Sequence, residues 1–243
     1  MATARVTATG AGSPRRVRDH PLVIFDLDGT LVDTATYAAE AVCRAVHEVS
    51  AATGEPLTAP GPAEVRAHFG MPAEHYYRGL FSPWSAEREA LVHERAMAWQ
   101  HRLLEDGTGR LFPRADELLG ALTRSGREVA FFTHGSRAYL ELLAKAFGLG
   151  AHGRHRVSSE GPPQRSKAEL VAELLDRTAL PSAVVVGDRL ADLEAAHAHG
   201  LPAIGCLYGY GSPGELETAE HRVGALGELF AVLGVEEGAG VAA

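Results

Sequence analysis

The 243-residue chain is 46% hydrophobic and 22% charged, and its 31 acids against 23 Lys+Arg leave a formal net charge of −8. That length supports one large α/β domain or a core with a modest insertion. The acidic balance excludes general binding to nucleic acid or to an anionic membrane, both of which need a positive surface field. No apolar run approaches the roughly 18 residues of a membrane span. Two cysteines, Cys43 and Cys206, are too few for a disulfide framework or a zinc knuckle, so a reducing cytoplasm is the expected location.

Residues 1–19 combine small residues and arginines without periodicity. They lack the apolar stretch of about 7–15 residues that a secretory signal needs. A disordered tail is expected, with a transit peptide as the alternative because no acid precedes Asp19. From Pro21 the pattern changes. Leu22-Val23-Ile24-Phe25 is a short apolar run closed by Asp26 and by Asp28-Gly29-Thr30, which predicts a central parallel strand buried on both faces.

Residues 35–110 then break into helical patterns. Ala38, Val42, Ala45, Val46 and Val49 share one face, Pro56 to Pro62 mark a loop, and a long helix is predicted from about Trp84 to Leu104. This all-helical insert follows the first strand and is expected to act as a lid or cap. Three more apolar runs come after it. Val129–Phe132 leads into Thr133-His134-Gly135-Ser136, Ala183–Val186 into Gly187-Asp188, and Ala203–Leu207 into Tyr208-Gly209-Tyr210-Gly211. Helical stretches carrying Leu118, Leu122, Leu140, Leu143, Leu170, Leu174 and Leu193 alternate with these strands. The alternation predicts an α/β fold with a doubly wound, Rossmann-like parallel sheet. Residues 20–34 and 111–233 would form the core, 35–110 the cap, and 234–243 a frayed end.

In such sheets ligands gather at the carboxyl ends of the strands, and four acids fall there: Asp26, Asp28, Asp188 and Asp192. Asp192 alone would be explained by capping a helix start, where negative charge is favoured. Four clustered anions repel one another and call for a positive partner. A hard divalent cation fits carboxylate oxygens, and Mg²⁺ suits a site offering few protein ligands. A second positive group is available. Only two of the 23 basic residues are lysines, Lys145 and Lys167, and Lys167 stands just before Ala168-Glu169-Leu170. Arg165 is the fallback, although a planar guanidinium is not equivalent to an ammonium.

The stretch Phe25-Asp26-Leu27-Asp28-Gly29-Thr30-Leu31-Val32-Asp33 resembles the first motif of the haloacid dehalogenase superfamily in its phosphatase form. Thr133 resembles the second motif, Lys167 the third, and Gly187-Asp188 to Asp192 the fourth. Gly187-Asp188-Arg189 and the segment Ile204 to Gly211 look most like the phosphoglycolate-phosphatase-like branch. The resemblance implies a Mg²⁺-dependent phosphatase acting on a small phosphomonoester. In that scheme Asp26 becomes an aspartyl-phosphate and Asp28 serves as general acid and base. Thr133 and Lys167 hold the phosphoryl group. Mg²⁺ is bound by Asp26, the backbone carbonyl of Asp28 and Asp188, with Asp192 either touching the ion or supporting its ligands. Four aspartates and one lysine sum to about −3, which Mg²⁺ reduces to about −1.

His134 stands where the family often has Asn. It implies either a neutral orienting role in substrate binding or a titration near pH 6.5. The run Gly209 to Gly214 fits a dinucleotide fingerprint, but Pro213 lacks the N–H such a site would use, and it reads as a loop near the site. The pairs His152/His155 and His197/His199 have no metal-site context. Tyr76, Tyr77, Trp84 and Trp99 read as cap core. Arg66 and Arg78 are placed to reach an acidic substrate, although exposed arginines are the ordinary case. A dehalogenase would need no metal and no second acid, and a phosphonate hydrolase would need a cap lysine that residues 35–110 lack. A phosphomutase and a non-catalytic binding or regulatory protein of the same fold are the alternatives. A homodimer is compatible with the sequence without being required by it.

Overall fold

Leu22–Asp26 form β1, a strand buried along its whole length. In the computed structural model, which describes residues 16–71, 78–81, 84–161 and 163–237, this strand lies near the middle of a six-stranded parallel sheet. Alternate residues of β1 serve opposite faces. Val23 and Phe25 enter one apolar cluster, and Leu22 and Ile24 enter a second.

The chain leaves β1 through a tight turn into the short β2 (Val32–Asp33) and then becomes helical. Helix α1 (Ala38–Thr53) buries Ala38, Ala41, Val42, Ala45, Val46 and Val49, the stripe its i, i+3, i+4 spacing dictates. It ends at Gly54, whose φ of +73° is the left-handed stop that glycine supplies cheaply. The short α2 (Pro62–Ala67) starts with proline at its first position. The long α3 (Ala86–Glu105) is opened by Ser85, whose side chain accepts from the Arg88 amide. The described part of the insert is not wholly helical. Arg110–Leu111 form β3, pairing antiparallel with β2 in the register Val32↔Leu111 and Asp33↔Arg110, so the two ends of the insert are tied together.

The core then runs through α4 (Ala115–Arg124), β4 (Glu128–Thr133), α5 (Arg137–Ala146), β5 (His155–Ser158), α6 (Lys167–Thr178) and β6 (Ala183–Gly187). It ends with α7 (Leu190–His197), β7 (Ala203–Cys206), β8 (His221–Val223) and α8 (Leu229–Leu233). The sheet order is β5-β4-β1-β6-β7-β8, every neighbour parallel. Order reverses about β1, where ligand crevices form in such sheets. Leucines of α4, α5 and α8 cover the Val23/Phe25 face, while Leu170, Leu174 and Leu193 of α6 and α7 cover the other. This is the doubly wound architecture expected. No helix among the described residues is long and apolar enough to cross a membrane.

Residues 1–15 and 238–243 lie outside the described residues, as do Tyr76 and Tyr77. Within the segment expected to be a tail, Val17–Asp19 form a 3-10 turn and Val17 is only 6% exposed. Arg127 binds this end to the rest. Its guanidinium donates to the carbonyls of His20 (2.9 Å), Leu233 (2.8 Å) and Val17 (3.4 Å), joining the segment before β1 and the end of α8 to the start of β4. Trp84 and Trp99 pack against the core, as expected. Removing the donors should leave buried carbonyls unpaired. Arg127→Ala is expected to lower unfolding free energy by about 1–3 kcal/mol, read from a urea denaturation midpoint.

Candidate active site

The site is assembled from the carboxyl ends of β1, β4 and β6 and the start of α6. At the end of β1 the Leu27 carbonyl accepts the amides of Thr30, Leu31 and Val32, which turns the chain sharply over Asp26. Gly29 permits this turn at φ +89°, and a Cβ there would lie 2.3 Å from an Asp188 carboxylate oxygen. Gly187 plays the same part under β6, since a Cβ would sit 2.2 Å from Cγ of Asp192. The two glycines let three carboxylates approach.

Asp26 is 3% exposed, and Asp188 and Asp192 are fully buried. One oxygen of each lies within 4.8 Å of the others. Lys167, also 3% exposed, points its Nζ between two of them, 2.7 Å from Asp26 and 2.6 Å from Asp192. A reciprocal capping box sets that aim. Ser166 accepts from the Glu169 amide, and Glu169 accepts from the Ser166 amide at 2.7 Å, fixing Lys167 as the first residue of α6. Arg165 is not the cation of the site, because its guanidinium is bound to Glu173 and to the Ser158 carbonyl. The remaining oxygens of the acids accept from the Tyr210 amide (2.7 Å) and Thr30 hydroxyl (3.3 Å) at Asp188, and from the Arg189 amide (3.0 Å) at Asp192.

The charge balance is unfavourable as it stands. Three ionised carboxylates and one ammonium carry −2 in a buried space. Burial, foremost, and the neighbouring acids hold Asp26 well above the ordinary carboxylate range, against the pull of Lys167. Burial and then Asp192 push Asp188 up to about 7. Burial also acts against charge on Lys167, but Asp192 and Asp26 outweigh it and raise its pKa. An all-oxygen donor set with a surplus of two negative charges fits a hard divalent cation.

Asp28 does not join this cluster with its side chain. Its carboxylate instead accepts from three hydroxyls: Thr34 at 2.6 Å, Tyr139 at 2.7 Å and Thr133 at 3.2 Å. The Tyr139 hydroxyl lies 2.5 Å from that of Tyr37. Thr133 is further held by the Gly135 amide, which donates to its Oγ1 at 3.0 Å. Next to it, the His134 carbonyl accepts from Ser159 at 2.7 Å, while the ring Nδ1 is buried with no hydrogen-bond partner among the described residues. Burial first, then Lys167 and Arg189, lower the imidazole's pKa to about 3. Of the two expected roles, these causes favour the neutral ring over a titration near pH 6.5.

Asp26, Asp28, Thr133, His134 and Lys167 line one cavity of about 130 Å³, closed on its other side by residues of the insert. Asp188 and Asp192 lie outside its lining. Seven expected site residues are thus gathered at one sheet edge. Tyr37, Tyr139, Thr30, Thr34 and Tyr210 escaped the sequence reading. Tyr139 sits in the first turn of a helix, a position with no residue signature. Tyr210 joins three regions, with its amide on Asp188, its hydroxyl 3.0 Å from Asp33, and its ring 4.8 Å from that of Phe69.

A family model described as haloacid dehalogenase-like hydrolase matches residues 20–200. The chain belongs to the haloacid dehalogenase-like hydrolase family. It is therefore an enzyme of the hydrolase class. It is 30% identical over 203 residues to a 5'-nucleotidase of Pseudomonas aeruginosa, covering 82% of this chain and 88% of that one. It is 33% identical over 199 residues to a phosphoglycolate phosphatase of Cupriavidus necator, covering 79% and 83%. In fold it is similar to a predicted phosphoglycolate phosphatase from Haemophilus somnus, with a TM-score of 0.78 at 20% identity over 88% of this chain and 97% of that one. At that identity the likeness speaks for fold alone.

The remaining sequence signals have ordinary partners. His152 contacts Asp116, His199 the Ala168 carbonyl, and His197 Glu220. Gly209 to Gly214 is a loop beside the site, as expected, and Arg66 lies over the Tyr210 ring. Because Asp188 has a folded pKa of about 7 against an ordinary 3.8, the folded protein holds an extra proton between those values. That contribution is fully present below about pH 4 and is lost as pH rises through about 7. In the presence of chelator, denaturation midpoints are expected to fall across this window. Added Mg²⁺ should flatten the dependence.

Proposed function

We propose that this hydrolase is a phosphatase that releases inorganic phosphate from a small phosphomonoester through an aspartyl-phosphate on Asp26. The observation that carries the reading is the buried ammonium of Lys167, bridging Asp26 and Asp192 at the floor of the cavity. The phosphatase-named relatives support it.

A carboxylate buried this deeply is a useful nucleophile only while it is ionised, and the Lys167 contact favours that form. Asp26 attacks phosphorus, the ester P–O bond breaks, and the departing alkoxide takes a proton from Asp28. Water then attacks the same phosphorus, the bond to Asp26 breaks, and Asp28 recovers a proton from that water. The hydroxyls of Thr34 and Tyr139 hold the Asp28 carboxylate in one orientation for both transfers. Thr133 turns its hydroxyl to a phosphoryl oxygen when substrate is present, and His134 faces the alcohol side. Asp26, Asp188 and Asp192, with the Asp28 backbone carbonyl, would hold Mg²⁺. The ion would neutralise the phosphoryl oxygens against the acids around them. Residues 35–110 act as a cap that excludes water from the reaction.

Asp26→Asn is expected to reduce phosphate release by at least about 10³-fold while the protein stays folded. Chelation should act similarly, with activity restored by Mg²⁺. Undiminished turnover in Asp26→Asn would end the reading, and retention of the phosphoryl group on a product would replace it with a phosphomutase. Tyr139→Phe removes one orienting hydroxyl and is expected to lower kcat by about 10- to 100-fold with little change in KM. Steady-state kinetics on an alkyl phosphate would measure this split.

A further inference from the structure

Tyr37 is fully buried where the chain enters α1, and it does not line the cavity. Its hydroxyl lies 2.5 Å from that of Tyr139 and also meets Thr34. Those are the two residues whose hydroxyls reach Oδ1 of Asp28, at 2.7 Å from Tyr139 and 2.6 Å from Thr34. Three buried hydroxyls thus converge behind one carboxylate oxygen. Among the described residues the other oxygen, Oδ2, meets only the Thr133 hydroxyl, at 3.2 Å. The two oxygens of Asp28 are therefore unequal.

The direction of this chain follows from its hydrogens. A hydroxyl has one hydrogen to donate. Tyr139 and Thr34 give theirs to Oδ1, so each can accept from Tyr37 but cannot donate to it. Tyr37 is the donor at the head of the chain, and aligned hydroxyls polarise one another toward the carboxylate. Burial, foremost, and the neighbouring Asp28 charge raise both phenols well above their ordinary pKa, so both keep their hydrogens.

Resting on the phosphatase reading, we infer that Tyr37 is a positioning residue for proton transfer: it fixes the hydroxyls that anchor Oδ1 of Asp28 and so leaves Oδ2 as the oxygen that carries the proton. A proton on Oδ1 would require Tyr139 and Tyr37 to reverse their hydrogens inside a packed core. Oδ2 needs no such change, because Thr133 turns its hydroxyl from Oδ2 to a phosphoryl oxygen when substrate is present. Oδ2 then gives its proton to the departing alkoxide as the ester P–O bond breaks, and takes one from the water that attacks the aspartyl-phosphate. The hydrogens of Tyr37, Tyr139 and Thr34 stay on their own oxygens throughout. Tyr37 belongs to the insert and Tyr139 to the core helix α5, so the insert steadies the proton carrier from outside the cavity lining.

The test compares two esters on the full-length protein with Mg²⁺, an alkyl phosphate, whose alkoxide needs a proton to leave, and p-nitrophenyl phosphate, whose phenolate does not. Tyr37→Phe is expected to lower kcat on the alkyl ester by about 5- to 30-fold with KM within about twofold. Its loss in kcat/KM should be at least about threefold larger for the alkyl ester than for the nitrophenyl one. That ratio is taken on one preparation, so any unfolded fraction cancels from it. Tyr37→Met, which also lacks the hydroxyl but packs adaptably, gives the same ratio if the phenylalanine variant fails to fold. The losses of Tyr37→Phe and Tyr139→Phe should combine to at least about threefold less than their product, since both act through Oδ1. Equal losses on the two esters, losses that multiply in the double variant, or unchanged turnover would overturn the inference. A failure of the phosphatase reading would appear instead as no phosphate release from either ester by the unsubstituted protein, and would take the inference with it.

Discussion

The repulsion among Asp26, Asp188 and Asp192 is the constraint on which this site depends. Carboxylates this close in a dry environment are mutually destabilising, and neither the Tyr210 amide nor the Thr30 hydroxyl carries the charge needed to offset them. One lysine offsets part of it, and it must arrive from a different element at the right depth. Much of the local architecture is arranged to that end. Two glycines let the backbones of β1 and β6 close on the acids, and the Ser166–Glu169 capping box fixes the helix start from which Lys167 reaches in. The pair Lys167–Asp26 is almost fully buried, and its strength therefore depends little on salt.

The two acids of the first motif have separate environments although only one residue stands between them. Asp26 faces charge: an ammonium and two carboxylates. Asp28 faces neutral hydroxyls from the chain leaving β2, from the end of β4 and from α5. Strand and turn geometry produce the difference, since the chain reverses at Gly29. A nucleophile that must stay anionic and a group that must gain and lose a proton need such different surroundings.

Much of the core was legible because central parallel strands are apolar on both faces. Leu22–Phe25, Val129–Phe132 and Ala183–Val186 announce themselves without any partner being known. The edge strands do not. His155–Ser158 and His221–Val223 are half exposed and carry His and Arg, so their pairing is decided by neighbours and not by their own composition. The β2–β3 pair is two residues long on each side and has no periodicity to read. The acids and Lys167 were legible through spacing and the rarity of lysine. The hydroxyls around Asp28 were not, because Tyr37 and Tyr139 meet only after α1 and α5 have packed, 102 residues apart in sequence. Arg66 keeps the ordinary exposed position, with its guanidinium over the Tyr210 ring.

Tyr210 connects groups that would otherwise be independent. Its backbone holds an acid of the charge cluster, its hydroxyl holds Asp33 and the Ala35 amide at the root of the insert, and its ring bears on Phe69 within the insert. The insert's two ends meet in the β2–β3 ribbon, within reach of that phenol. One residue thus fastens the root of the insert, a ring inside it and the peptide that steadies Asp188 to a single point.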